Sequence, residues 1–198
     1  MINAKQIIKN IGKAYFAKLL TDEVAGATWS PSVYLPGLRE VTVTPTETPG
    51  EIYAEGSVWD TDNENGPINV SFDITDIPMT IRATVFGHKL STAGGIIDNQ
   101  KDEAPYIALM YEKTLKDGVM EFVTLYKGKL TKPEDKGKTR EGGVEYQTKA
   151  VTGRFIPLVN GDRQHIVRSD SATFAKATHD LAWGDAKTIT LAALPVIP

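Results

Sequence analysis

The sequence has 198 residues, with 22 Lys and Arg against 25 Asp and Glu, a formal net charge of −3, and no cysteine. That length makes one large domain or two small ones, one being the simpler count, and the charge balance lacks the positive field of a tight DNA or RNA binder. The missing cysteines exclude a disulfide scaffold, a thiolate metal site and a Cys nucleophile together.

Residues 1–20 carry Lys5, Lys9, Lys13 and Lys18 and no acid. With no continuous apolar run they do not make a targeting peptide, and no later stretch approaches the ~20 apolar residues of a membrane span. Ile7, Ile8, Ile11, Tyr15 and Leu19 fall near helical spacing. Gly12 interrupts it, and AYFAKLL fits a strand equally well, so residues 1–30 read as an N-terminal arm. Residues 29–37 hold Pro31, Pro36 and Gly37 and read as an extended crossing segment. Residues 39–44 alternate Val41 and Val43 with polar side chains, as a strand does. Pro45, Pro49 and Gly50 then mark a turn, residues 52–59 a strand, and residues 60–67 an acidic loop. Asp60, Asp62 and Glu64 open like a calcium loop, but its sixth and twelfth positions would be Asn65 and Ser71 where Gly and Glu are needed. Residues 68–74 are the most regular strand, with Ile68, Val70, Phe72 and Ile74 on one face.

One helix is predicted over residues 76–86. Asp76 is its N-cap, Pro78 lies in its first turn, Ile77, Ile81 and Val85 form its apolar stripe, and Gly87 closes it. Residues 88–103, with Gly94 and Gly95, read as a loop. Strands at 106–115 and 119–130 follow, joined by Lys116, Asp117 and Gly118, a hairpin loop ending in the residue that reaches positive φ without a Cβ clash. One face of this hairpin carries Ile107, Leu109, Tyr111, Val123 and Leu125. The other carries Ala108, Met110, Met120, Phe122, Tyr126 and Leu130. Neither is polar, so the second face needs a cover. Either a helix or arm of the same chain lies there, or a second copy meets it at Met110, Met120, Phe122 and Tyr126.

Residues 131–143 lack structure signals. Their interspersed charges, Lys132, Lys136, Lys138 and Arg140 against Glu134, Asp135 and Glu141, suit a complementary contact. Strands at 144–156 and 164–168, a short helix around 171–181 and the apolar end ITLAALPVIP complete the chain. The whole reads as one mainly β domain, an antiparallel sandwich or barrel with one flanking helix. Its core spans residues 31–170, and residues 171–198 form a C-terminal arm.

Chemistry-bearing patterns fail one by one. Gly137, Lys138 and Thr139 would close a phosphate-binding loop whose opening Gly falls on Lys132. His88, His165 and His179 are not at metal-ligand spacing, and neither a GxSxG elbow nor an HExxH pair occurs. Trp29, Trp59 and Trp183 could stack on sugars, which keeps a carbohydrate-binding sandwich as the alternative; a β-rich hydrolase stands third.

The order of segments resembles the major tail protein, or tail tube protein, of long-tailed bacteriophages, especially those of Gram-positive hosts. The resemblance runs from residue 11 to residue 170 through IGKAYFAKLL, VYLPGLREVTVTP, EIYAEG, INVSFDITDIP, APYIALMYEK, FVTLYKGKL and EYQTKAVTGRF. It implies a β-sandwich with one flanking helix, assembled into six-membered rings that stack into the tube through which DNA leaves the virion. It implies ring-to-ring bridging by loops and arms, with Lys132, Glu134, Asp135, Lys136, Lys138, Arg140 and Glu141 in the bridging loop. It further implies no catalytic residue, metal or cofactor and no membrane insertion. The implied partners are the protein itself, tape measure, tail terminator and distal tail proteins, and DNA in transit. The protein would be made in the bacterial cytoplasm and end in the virion tail.

Overall fold

The alternation of Ile68, Val70, Phe72 and Ile74 aims four apolar side chains one way, and all four are buried in the principal core. A computed structural model, which describes residues 7–135, 137, 139 and 148–189, places them on β5 of a nine-stranded antiparallel sheet. In chain order the first elements are β1 (Ile8–Glu23), β2 (Gly26–Trp29), β3 (Val33–Leu35), β4 (Leu38–Ala54) and β5 (Ser57–Ile74). Helix α1 (Met79–Phe86) and a two-strand hairpin, β6 (Lys89–Leu90) and β7 (Ile96–Ile97), follow. The chain then runs through β8 (Ile107–Leu115), β9 (Met120–Leu130), β10 (Lys149–Phe155), β11 (Gln164–Arg168) and α2 (Lys176–Ala182). The sheet order is β2-β1-β8-β9-β10-β5-β4, with β3 beside β1 and β11 beside β9. It curls until β1 approaches β4, and α1 packs Ile81, Val85 and Phe86 against the inner face. This is the mainly β, sandwich-like fold with a flanking helix that the sequence predicts.

The central hairpin forms as expected. Gly118 turns at φ 78°, and Ile107, Leu109, Tyr111, Val123 and Leu125 enter the principal core. Leu130 joins them there rather than taking the other face. The register slips between Ile107↔Gly128 and Leu109↔Leu125, and one extra residue in a strand exchanges its two faces.

The N-terminal segment is an inner strand, not an arm. Ala14, Tyr15, Phe16 and Ala17 are buried in succession, because β1 lies between β8 on one side and β2 and β3 on the other. A strand covered on both faces loses its alternation, which is why its periodicity was ambiguous. Helix α1 begins at Met79, with Pro78 in the N-cap position; Asp76 instead reaches Lys149 at 3.4 Å. Gly87 closes the helix at φ 74°, donating its N–H to Ala83.

The turn at residues 45–50 and the loop at 60–67 are absent. Both segments continue as strand, and β4 and β5 pair from Leu38↔Ile74 out to Ala54↔Ser57. The turn is Glu55-Gly56, both at positive φ, 53° and 80°, the requirement of a tight two-residue hairpin. Pro45 and Pro49 are tolerated because β4 is the edge of the sheet, where a missing N–H costs no ladder bond.

Candidate assembly surface

Beyond Ile68, β5 leaves β10 and pairs only with β4. Residues 47–64 therefore form a two-stranded ribbon standing roughly 25 Å clear of the sheet at the usual rise per residue. Ile52, Tyr53, Val58 and Trp59 sit near its tip, and Trp59 is 68% exposed. Its charge is of one sign. Glu47, Glu51, Glu55, Asp60, Asp62 and Glu64 belong to it, and no Lys or Arg occurs between Arg39 and Arg82. Asp60, Asp62 and Glu64, two residues apart on β5, share a face. Glu51 and Tyr53 share the opposite one, where the tyrosine O–H donates to Oε2 of Glu51 at 2.5 Å. At the base, Arg163 donates from Nη1 to the Gly66 carbonyl and from Nη2 to Asn65 Oδ1, both at 3.0 Å. The guanidinium clamps the ribbon where it leaves the body.

A second feature lies on the outer face of β4, β5, β10 and β9. Thr42, Thr44, Asn69, Ser71 and Thr152 line a shallow trough there with Lys129 and Arg154. Arg154 stands directly opposite Lys129 in the β9–β10 register, and both are exposed. Like charges facing each other across a ladder are unfavourable. Neither has a carboxylate partner among the described residues, and Lys129 rests its ammonium 4.7 Å from the centre of the Tyr106 ring.

The apolar outer face of the central hairpin is closed by the chain itself. Met110 and Tyr126, expected at a subunit contact, pack with Trp29, Leu158 and Ile189 and are 1% and 4% exposed. Trp29 Nε1–H donates to the Tyr126 carbonyl at 3.1 Å, and burial pushes the Tyr126 phenol up to about 12. Phe122 is half-buried under α2, its ring 4.1 Å from that of His179 and 5.1 Å from that of Trp183. Met120 is half-buried, its sulfur 3.3 Å from the Thr114 hydroxyl. The segment after α2 is fastened through Ser32, which lies against the Gly184 and Lys187 carbonyls and accepts the Lys187 N–H. Met110 and Tyr126 thus leave no surface for a second copy, and the cover is the same-chain one.

In the bridging loop, Lys132 holds both carboxylate oxygens of Asp98 at 2.7 and 2.9 Å. Glu134 and Asp135 are exposed, and Lys136, Lys138, Arg140 and Glu141 lie outside the described residues. Asp98 also approaches His88 Nδ1 at 3.5 Å, and Asp102 reaches the same nitrogen at 3.1 Å. The Asn99 amide and then His88 hold the Asp102 carboxyl below its ordinary range, as Lys132 does for Asp98. Residues distant in sequence thus meet in a metal-sized group, but the Lys132 ammonium already neutralises its outer carboxylate. The three tryptophans do not form a sugar platform. Trp29 is buried, Trp183 packs with Phe122 and His179, and Trp59 stands exposed on the ribbon.

Sequence reasoning missed the ribbon and the trough. One signal was available for the ribbon, the cation-free stretch between Arg39 and Arg82. The trough depends on a register that no local pattern reveals. No curated protein matches the chain as a relative. The profile of the family described as phage tail tube protein matches residues 37–177, the span that holds the ribbon, α1, the central hairpin and the trough. The chain belongs to the phage tail tube protein family, whose members are structural components of the virion tail.

Proposed function

We propose that this chain is the repeating unit of a tail tube. Copies close into rings, six to a ring, the rings stack, and the lumen passes the genome toward a Gram-positive host. Tape measure protein fills the lumen before ejection, and terminator and distal tail proteins cap the two ends. A mildly acidic wall suits that role, because a basic one would retain the DNA it must release.

The ribbon of residues 47–64 carries the proposal. A two-stranded hairpin is marginal alone in water, and this one exposes Ile52, Tyr53, Val58 and Trp59 beside two strand edges unpaired among the described residues. Docking on other copies would supply the missing neighbours, and a closed assembly of identical chains is the common outcome of such self-association. The loop at 131–143 serves as the second, ring-to-ring contact. Its base is held by Lys132 on Asp98, which leaves Asp135 and the charges that follow to meet the next ring.

Replacing residues 47–64 by an Asn-Gly link tests this. The truncated chain is expected to keep its cooperative unfolding, since the ribbon adds nothing to the core, and to sediment as a monomer where the full chain forms large assemblies. Assembly of the truncated chain to full length would remove the ribbon from the account.

A further inference from the structure

The ribbon and the trough are complementary in charge, and they belong to the same polypeptide. Asp60, Asp62 and Glu64 present carboxylates about 7 Å apart along one face of the ribbon, the repeat of alternate strand residues. The trough offers Arg154 and Lys129, opposed at register distance and flanked by the hydroxyls of Thr42, Ser71 and Thr152, all donors to carboxylate oxygens. We propose that the acidic ribbon of one copy lies in the trough of a second copy, with Asp60, Asp62 and Glu64 meeting Lys129 and Arg154. This rests on the self-assembly proposed above and names its contact.

The occupant is a second copy and not the chain's own ribbon. β4 and β5 floor the trough and continue into the ribbon with ladder pairs such as Thr48↔Glu64 and Pro49↔Asn63. Folding the ribbon back would break that ladder. A patch that binds a different patch on its neighbour makes a head-to-tail interface, which generates a ring when the rotation closes. A nucleic acid phosphate would satisfy the two cations as well. The ribbon is favoured because it shares the trough's stoichiometry and carries six carboxylates without a cation, whereas the chain as a whole, at −3, repels DNA.

Charge reversal in the full-length chain tests the contact. One variant carries Asp60→Lys, Asp62→Lys and Glu64→Lys, a second carries Lys129→Glu and Arg154→Glu, and a third combines all five. All five positions are exposed, so each variant should melt within a few degrees of the parent. Each partial reversal is expected to reduce sedimentable assembly at least tenfold, and the combined variant to restore it. Moderate salt should slow assembly of the parent, as screening weakens an exposed ion-pair contact. Partial reversals that assemble like the parent would overturn the contact while leaving self-assembly intact. So would a combined variant that stays dispersed. A trough reversal that abolishes binding of a short DNA duplex yet leaves assembly unchanged would assign the trough to nucleic acid instead. A parent chain that never assembles would remove the tube reading itself, and this contact with it.

Discussion

Gly128 faces the Phe155 ring, and a Cβ there would fall 2.4 Å from ring carbon Cδ1. The ring is buried in the core and cannot swing away, so Gly128→Ala is expected to cost about 1–3 kcal/mol, the usual range for overpacking, read as a lowered Tm in a thermal melt. His179 is set by its surroundings in a different way. Burial against Phe122, Phe174 and Trp183 lowers its pKa, and the Asp180 carboxylate only partly offsets this. His165 is lowered by burial as well. A histidine whose folded pKa is depressed contributes stability that is complete above the unfolded value, about 6.5, and is lost as pH falls through the folded value. The packing of α2 is therefore expected to loosen between about pH 6.5 and the lower folded pKa values, seen as faster amide exchange over residues 174–183 with the sheet still protected. A flat exchange profile from pH 7 to pH 5 would show that the two imidazoles do not hold this cover. Neither effect is written in the sequence, because each depends on a partner more than ten residues away.

At the scale of elements, legibility followed burial. β5 and the central hairpin were readable because one face of each meets the core and the other does not. Helix α1 was readable from Ile77, Ile81 and Val85, all now buried. Ile81 is 7% exposed, so Ile81→Asp places an unpaired charge in the core at a cost of several kcal/mol. Insoluble protein on expression is the expected outcome, and a soluble variant with an unchanged Tm would remove α1 from the core. β1 was obscured by burial on both faces, and the ribbon by prolines whose turn signal an edge strand overrides. The α2 cover is the weakest element. His179 Nε2, Trp183 Nε1 and Arg168 Nε are buried without a hydrogen-bond partner among the described residues. Such a piece belongs to the low-stability end of a fold.

At the scale of the whole molecule, the body satisfies its own apolar surface and the ribbon does not. The outer face of the hairpin is closed from within by Trp29, Leu158 and Ile189, so association falls to surfaces that stand clear of the body. The resemblance in the sequence pointed to the right family, while the placement of contacts at Met110 and Tyr126 did not survive the fold. What the sequence could not supply was the third dimension of the charge pattern, the acids on a projecting ribbon and two cations opposed in a trough. The central claim is that this chain builds a tube from copies of itself. Electron microscopy of the purified full-length protein tests it most directly. Rings or hollow tubes of uniform diameter are predicted, lengthening with concentration. Particles that remain monomeric at every concentration, with a Tm raised by an added oligosaccharide, would contradict the claim and favour a sugar-binding module.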